Sequence, residues 1–392
     1  MRFASVLSRD VDATAAGHAV AHATRRELDH RPIDLACLFF SSHYAERSAE
    51  LSDAVYRTLA PRVLVGCTGE GVIAGSEEIE QTPAVALWAA HLPDASLTPL
   101  RLSAGQDGDL LERLPNGLGH GLDLPVLLLL ADPFSTPMDD VLSFLGDRAP
   151  GASAIGGLAG GGHDVGANRL LLNDTVHDGG LVGVAISGSV SVRTVVSQGC
   201  RPIGDRYVVT RADNNVIYEL GGVPAMERLQ SMFESLAPQE RVLAQNALHL
   251  GIAIDEQGNR FERGDFLVRN LIGADRSSGS VAIGDLVKEG QSVQFQVRDA
   301  QSASEDFHLL LASARSRQHA PPQGALIFSC CGRGRGLFGR PHHDVTVLRE
   351  RAGEIPIAGF FAQGEIGPIG GSNFLHGYTA SVALFSEKST SA

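Results

Sequence analysis

The stretch IPIAGFFAQGEIGPIGG, residues 355–371, combines a short apolar strand with a turn that is rich in glycine. One carboxylate, that of Glu365, lies inside this turn. Glycine adopts backbone angles that other residues resist, and it leaves the neighbouring amide groups uncovered. A turn of this composition at the end of a strand is suited to hold a ligand, and the alternative is a tight turn with a solvated glutamate.

The same order of elements occurs three times along the chain. Residues 325–385 give an apolar strand, a polar loop, a helical stretch, a second strand, the Gly-Glu turn and a closing strand. Residues 34–90 and 125–187 repeat that order, and Glu70 lies between two glycines in the first of these copies. Internal repetition on this scale indicates duplicated β-α-β units, with chance similarity of such patterns as the alternative.

The repeats predict an α/β protein of mixed α+β character. We expect two related domains of mixed β-sheets covered by helices, built from repeated β-α-β units with Gly-rich turns. A chain of 392 residues is long enough for two domains that each have a core. The pair Gly221-Gly222 marks the candidate boundary, so the predicted domains are residues 1–220 and 221–392. Residues 104–124 predict a surface connection because they contain five glycines.

The helix of the second copy has the clearest sequence signals. Thr136 is expected to cap this helix, and Pro137 suits its first position. Met138, Val141 and Leu145 then recur at the spacing of one helical face. The pattern predicts an amphipathic helix that packs on the sheet of its own copy.

The charge of the chain argues against a polyanionic partner. The sequence is 43% hydrophobic and 20% charged, and 32 Lys+Arg against 45 Asp+Glu give a net charge of −13. An acidic chain without a basic block is not expected to bind nucleic acid or an anionic membrane. No apolar run in the sequence approaches the roughly 20 residues that a membrane span needs.

The sequence also indicates a compartment. Arg9, Asp10 and Asp12 stand where a signal peptide would need an apolar core. Five cysteines in a chain of this size do not resemble a disulfide framework. We therefore expect a cytoplasmic protein with reduced thiols.

The segment CCGRGR at residues 330–335 follows an apolar strand and is expected to neighbour the Gly-Glu turn. Arg333 and Arg335 could pair bidentately with a ligand carboxylate, or they could be surface arginines on a flexible loop. Cys330 or Cys331 could act as a nucleophile beside a histidine. The simpler interpretation is a pair of small residues that closes a buried strand, because free cysteines are usually buried and inert.

Neither a metal site nor a nucleotide site is predicted. Adjacent residues on a helix point to different faces, so His342 and His343 are poorly placed to share one ion with Asp344. The sequence contains no HExxH and no CxxC pair. The glycine run at residues 160–162 lacks the Lys-Ser/Thr of a phosphate-binding loop and the acidic partner of a dinucleotide fingerprint. We expect no cofactor.

Six stretches of the chain share the pattern of a known family. They are GCTGEGVIAG at 66–75, SQGCRPIG at 197–204, DFLVRNLIG at 265–273, FSCCGRGRGLF at 328–338, GFFAQGEIGP at 359–368 and LHGYTASVALF at 375–385. Together they resemble the FIST family, named for F-box and intracellular signal-transduction proteins, over roughly residues 30–386. The resemblance implies an N-terminal and a C-terminal FIST domain that form a sensory module for small ligands such as amino acids. Because the chain has no spare length for an F-box, a kinase or a chemoreceptor output domain, a separate partner is expected to carry the signal.

We therefore predict a cytoplasmic sensory protein that binds a small ligand, an amino acid or a similar zwitterion, at its strand-end turns. The candidate ligand-binding residues are Gly69, Glu70, Gly71, Cys330, Arg333, Arg335, Gly364, Glu365 and Gly367. Glu365 is the best-placed acceptor for an ammonium group, with Glu70 second, and the arginines and glycine amides suit a carboxylate. We expect the two Gly-Glu turns to lie near each other, because both follow the second strand of related units.

Two other classes of function remain open at this point. One is a thiol-dependent hydrolase or transferase that uses Cys67, Cys330 or Cys331. The other is a protein-interaction adaptor with a vestigial pocket. The reactivity of the thiols at pH 7 separates the first from a binding protein, because a catalytic thiol reacts fast at that pH.

Overall fold

The computed structural model describes residues 1–103, 124–254, 265–316 and 320–388. The chain divides into two compact units, of which the first comprises Met1–Val196 with His308–Ala392 and the second Ser197–Phe307. The predicted surface connection at residues 104–124 lies, but for its last residue, outside the described residues. The division of the sequence at residue 220 stays a prediction.

The first unit begins with two of the repeat copies. The first copy and its flanking strands contain β1 (Arg2–Ser8), α1 (Ala13–Glu27), β2 (Leu35–Ser41), a 3-10 helix (Ser42–Arg47), α2 (Ser48–Leu59), β3 (Val63–Gly69), β4 (Gly71–Ala74), β5 (Glu77–Glu80), β6 (Val85–His91) and β7 (Ala95–Leu102). The second copy contains β8 (Val126–Ala131), α3 (Met138–Arg148), β9 (Ser153–Leu158), β10 (Leu170–Leu172), β11 (Thr175–His177) and β12 (Leu181–Gly188), and β13 (Val190–Ser197) follows it.

The remaining elements complete both units. Next along the chain come β14 (Cys200–Asp213), β15 (Val216–Leu220), β16 (Val223–Pro224), α4 (Ala225–Ser235), α5 (Pro238–Ala247), β17 (Leu248–Ala253), β18 (Phe266–Asp275), β19 (Ser280–Ile283), β20 (Ser292–Arg298) and α6 (Ala300–Ser316). The third copy contains β21 (Gly324–Cys330), α7 (Gly334–Phe338), α8 (His343–Ala352), β22 (Ile357–Ala362), β23 (Glu365–Ile369), β24 (Ser372–His376) and β25 (Ala380–Glu387).

The three repeat copies build three sheets of one topology, which confirms the predicted β-α-β units and the mixed α+β class. The strand orders are β1-β6-β2-β3-β10-β11, β7-β12-β8-β9-β23-β24 and β13-β25-β21-β22-β4-β5. Each sheet holds one parallel pair at its centre, namely β2–β3, β8–β9 or β21–β22, and antiparallel strands flank that pair. A helix joins the strands of each parallel pair, as a parallel connection requires.

The sheets exchange their hairpins in a cycle. The hairpin β4–β5 of the first copy extends the sheet of the third copy, β23–β24 of the third copy extends the second sheet, and β10–β11 of the second copy extends the first. Each copy therefore completes the sheet of another. This exchange brings residues that are distant in the sequence onto one sheet.

Three backbone hydrogen bonds join the points where the chain leaves its own sheet. They run from the amide of Glu70 to the carbonyl of Phe361 at 3.0 Å, from Gln363 to Leu158 at 3.2 Å and from Gly160 to Thr68 at 3.0 Å. In every copy the donor follows the acceptor by two residues, so the three bonds close a ring with the same register in each copy. We call this feature the crossover ring. It makes Glu70 structurally equivalent to Gln363 rather than to Glu365.

One glycine in the second strand of each copy allows the two parallel strands to approach. The glycines and their register partners are Gly66 with Leu38, Gly156 with Leu129 and Gly359 with Ile327. A Cβ atom on these glycines would lie 2.1, 1.8 and 1.7 Å from the carbonyl oxygen of the partner. Such distances are far below van der Waals contact, so no residue with a Cβ fits at these positions without moving the backbone.

The inner faces of the three sheets contribute to one hydrophobic core. Phe39 of the first sheet packs against Phe328 and Phe360 of the third, with ring centroids 6.2 and 5.1 Å apart. Leu128 and Ile155 of the second sheet belong to the same buried cluster. Apolar contact from both faces explains why the central strands read as continuous hydrophobic runs.

The helix of the second copy begins one residue later than predicted. Pro137 is the N-cap of α3, which starts at Met138, and the Thr136 hydroxyl donates to the carbonyl of Gly180 at 2.8 Å instead of capping the helix. The predicted apolar face is confirmed, because Val141 and Leu145 are buried. The local sequence favoured Thr136 as the N-cap, but its hydroxyl forms its hydrogen bond with the Gly180 carbonyl, outside the helix.

The second unit is built on one antiparallel sheet. Its strand order is β14-β20-β17-β18-β19-β15-β16, and β14 also pairs with β15, so the sheet closes on itself. Side chains such as Phe295, Leu250 and Met232 form the core of this unit. In the described part of the chain no helix is long and apolar enough to cross a membrane.

Candidate functional site

The two Gly-Glu segments adjoin through the backbone, as the sequence predicted. The Glu70 amide donates to the carbonyl of Phe361 in the crossover ring. A Cβ on Gly69 would lie 2.8 Å from the Cβ of Phe360, and one on Gly71 would lie 2.4 Å from the carbonyl oxygen of Ile79. These two glycines therefore serve close backbone approach.

The two glutamates of these segments have different environments. The Glu70 side chain is exposed. Glu365 is fully buried as the first residue of β23, and its Oε2 accepts a hydrogen bond from the amide of Thr379 at 3.0 Å. Gly364 and Gly367 lie in the same interior, because the Gly364 carbonyl accepts from the backbone and Gly367 packs against a valine side chain.

Arg333 is a buried residue that pairs bidentately with a carboxylate of its own chain, whereas the sequence suggested a ligand carboxylate or an exposed position. Its Nε and Nη2 donate to the two oxygens of Asp344 at 2.7 and 2.9 Å, and both side chains are fully buried. The Ser329 hydroxyl also donates to Asp344, at 2.7 Å. Burial opposes ionisation of Asp344, but the Arg333 guanidinium outweighs it and holds the pKa of that carboxyl below its ordinary value.

The cysteines named as candidate nucleophiles lie in three different environments. Cys67 is fully buried in β3, and burial raises the pKa of its thiol well above the ordinary value. Cys330 is buried at the end of β21. Cys331 is exposed. A thiol with a raised pKa is protonated at neutral pH, so Cys67 does not fit the role of a nucleophile.

A polar cavity of about 760 Å³ lies beside the exchanged hairpin β4–β5 and the loop after β21. We call it the hairpin cavity. It is lined by Arg9, Glu78, Ile79, Glu80, Gln81, Thr82, Cys331, Gly332, Arg335, Gly336, Pro341 and His342. Of the residues predicted from the sequence as ligand-binding, Arg335 is in this lining. Glu78 and Glu80 were missed, because their hairpin reaches the third sheet only through the exchange between copies.

Glu78 is a buried carboxyl in the wall of the hairpin cavity. Only 3% of the residue is exposed. Its Oε1 accepts a hydrogen bond from the amide of Val345 at 2.8 Å, whereas its Oε2 is buried and has no hydrogen-bond partner among the described residues. Burial, followed by the negative charge of Asp344, raises the pKa of Glu78 to about 8.

Glu80 anchors the hairpin to the loop of the third copy. Its Oε1 accepts a hydrogen bond from the amide of Arg335 at 3.0 Å. Gly334 has a φ of +55°, and a Cβ at this position would lie 2.8 Å from both carboxylate oxygens of Glu80. Glycine thus meets two needs here, a left-handed backbone and close approach of a carboxylate.

His342 and His343 contact different partners, as their adjacency predicted. The Nδ1 of His342 accepts from the amide of Glu78 at 2.9 Å, whereas the Nδ1 of His343 lies 3.0 Å from Asp344. The imidazole of His343 stacks on Phe338 with ring centroids 3.4 Å apart. The described residues hold no group of three or more metal-ligating side chains.

A second cleft of about 560 Å³ lies along α3 and the turn before β24. The charged side chains in its lining are Asp139 and Asp147, both acidic. The hairpin cavity combines Arg9 and Arg335 with two glutamates. Of these two cavities, the hairpin cavity offers both signs of charge to a ligand.

Fold and site define a mixed α+β protein with three exchanged sheets and a polar cavity at one exchanged hairpin. Comparison with known families extends this description. The model of the FIST N domain matches residues 34–223, and that of the FIST C domain matches residues 225–368. The chain therefore belongs to the FIST family, whose domains are sensory domains of signal transduction.

Two mycobacterial relatives are similar over nearly their whole length. An uncharacterized protein of Mycobacterium tuberculosis is 43% identical over 372 residues, which is 95% of this chain and 96% of the relative. An uncharacterized protein of Mycobacterium bovis is 42% identical over 377 residues, with the same shares of both chains.

Proposed function

We propose that this protein is a cytoplasmic sensory protein that binds a small zwitterion, such as an amino acid, in the hairpin cavity and signals through a separate partner protein. The observation that carries the proposal is that one cavity contains side chains of both charges. In addition, one buried carboxyl oxygen of Glu78 has no hydrogen-bond partner among the described residues. Small-ligand sites are concave and contain a few convergent polar groups of this kind. A volume of about 760 Å³ exceeds the size of a single amino acid and accommodates one together with water.

The hairpin cavity offers a separate partner to each of the two charges of a zwitterion. The Arg335 side chain is exposed and makes no ion pair in the described part of the chain, so its planar guanidinium is available to a ligand carboxylate. Arg9 lines the same cavity but already pairs with Glu77. Glu78 and Glu80 offer acceptors for an ammonium group.

The residues predicted from the sequence take different parts in this proposal. Arg335 contacts the ligand, and the Arg333–Asp344 pair supports the loop that carries it. Cys330 closes the strand before that loop. The remaining predicted residues belong to the segments around the crossover ring and do not line the cavity; they are Gly69, Glu70, Gly71, Gly364, Glu365 and Gly367.

A thermal-shift screen of the full chain with the twenty standard amino acids and ethanolamine tests the proposal. A ligand that binds the folded state raises the melting temperature. Arg335→Ala is expected to abolish the shift, because the ligand carboxylate loses its partner. Arg276→Ala is the matched control, since Arg276 is exposed in the second unit. No shift with any compound, or equal shifts in both variants, would contradict the proposal.

A thiol enzyme is the second candidate, and one observation favours it. Cys331 is exposed and lines the hairpin cavity together with His342. Iodoacetamide labelling at pH 7, with Cys331→Ser as the blank, measures whether this thiol is activated. A rate well above that of free cysteine supports the enzyme, whereas a rate at or below it supports the binding protein.

A further inference from the structure

Glu78 is held in a fixed position by the third copy. Its amide donates to His342 and its Oε1 accepts from Val345, the third residue of α8. The remaining oxygen, Oε2, is buried and has no hydrogen-bond partner in the described ranges, although the residue lines the hairpin cavity. A buried acceptor without a partner destabilises the protein, so a ligand that supplies a hydrogen-bond donor recovers that lost free energy.

Charged groups from several neighbouring elements affect the ionisation of Glu78. Asp344 of α8 and Glu80 of the same hairpin disfavour its ionised form, and Arg333 ahead of α7 favours it. His342 accepts its amide, and Arg9 and Arg335 line the cavity in front of it. Arg333 already donates two hydrogen bonds to Asp344, and among the described residues no cation forms an ion pair with Glu78.

We propose that Oε2 of Glu78 binds the ammonium group of the ligand, and that this group displaces the proton which the Glu78 carboxyl carries in the empty cavity. The proposal rests on the proposed function, and it adds which residue binds the ammonium group and which proton is released on binding. The ligand enters with its ammonium charged, the O–H of the carboxyl loses its proton to solvent, and an N–H of the ammonium donates to the resulting carboxylate. Burial, together with Asp344, raises the pKa of Glu78 to about 8, so the proton is present at pH 7.

Two measurable consequences follow from this exchange. Each binding event at pH 7 should release about one proton, because an adjacent cation lowers the pKa of a buried carboxyl. The affinity should rise up to about tenfold per pH unit below pH 8 and level off above it, since the proton competes with the ligand only while Glu78 is protonated.

Calorimetry with the strongest ligand among the twenty amino acids and ethanolamine tests the exchange. Titrations at pH 7 in phosphate and in Tris give the number of protons released, because the two buffers differ in enthalpy of ionisation. Glu78→Gln keeps the shape of the side chain but should release no proton and should bind at least about tenfold more weakly. Glu80→Gln should still release the proton, and Glu289→Gln, on the surface of the second unit, should behave as wild type.

The outcomes separate this inference from the proposed function. Proton release that disappears in Glu78→Gln supports both. A ligand that binds without proton release, or that releases it equally in Glu78→Gln, overturns the inference and leaves the proposed function in place. If none of the compounds binds, the proposed function falls and the inference falls with it.

Discussion

At the scale of single residues, two neighbouring buried carboxyls have pKa values that are shifted in opposite directions. Asp344 has a guanidinium fork on both oxygens, so its pKa is lowered against the effect of burial. Glu78 has a backbone amide on one oxygen only, and its pKa is raised to about 8 by burial and by Asp344. Opposite-charge pairing therefore decides which of the two is charged at neutral pH.

This difference predicts how stability depends on pH. Between its ordinary value of 4.5 and about 8, Glu78 is protonated in the folded protein and ionised in the unfolded chain. The folded state thus binds more protons, and its contribution to the free energy of unfolding falls as pH rises through this window. The stabilisation by Asp344 is lost only at more acidic pH, below its ordinary value of 3.8.

Glu78→Gln is expected to remove this dependence. Urea unfolding should show that the stability of the variant relative to wild type rises by on the order of 3 kcal/mol between pH 5 and pH 8, because glutamine is neutral at both values. Glu289→Gln is the control and should follow wild type. Parallel pH profiles for wild type and Glu78→Gln would show that Glu78 is not protonated in the folded protein.

At the scale of elements, the sequence predicted those parts that depend on local pattern. The β-α-β units follow from apolar runs and helical stripes, and Val141 and Leu145 are buried on α3 as their spacing predicted. The hairpin β4–β5 was not predicted, because it is short, contains three glutamates among the four residues of β5, and pairs with a strand almost 300 residues away. Its partner is set by the exchange between copies and not by its own sequence.

The sequence analysis also missed the three glycines that allow the parallel strands to approach, Gly66, Gly156 and Gly359. Their equivalent positions in the three copies are the signal that could have identified them. Gly359→Ala should destabilise the protein by more than about 2 kcal/mol, because its Cβ would overlap the carbonyl oxygen of Ile327 at 1.7 Å. Chemical denaturation measures this loss. Gly146→Ala is the matched control, since nothing lies within 4 Å of its Cβ and it stands inside α3, where alanine should stabilise by about 0.5–1 kcal/mol. Equal effects in the two variants would contradict the assigned role of Gly359.

At the scale of the first unit, the repeat explains where the site lies. Three copies with one topology share a core and a crossover ring, but their loops differ. The third copy carries the Arg333–Asp344 pair next to the hairpin that the first copy supplies, and the hairpin cavity lies where the two meet. The sequence indicated the arginine side of this cavity, and it could not indicate the glutamate side, because that side depends on contacts between copies.

A crystal structure of the protein with the strongest ligand of the screen would show whether the hairpin cavity is the binding site. We expect the ligand in the hairpin cavity, with its carboxylate within hydrogen-bond distance of Arg335 and its ammonium at Oε2 of Glu78. A ligand bound in the acidic cleft along α3, or anywhere else outside the hairpin cavity, would contradict the proposed site.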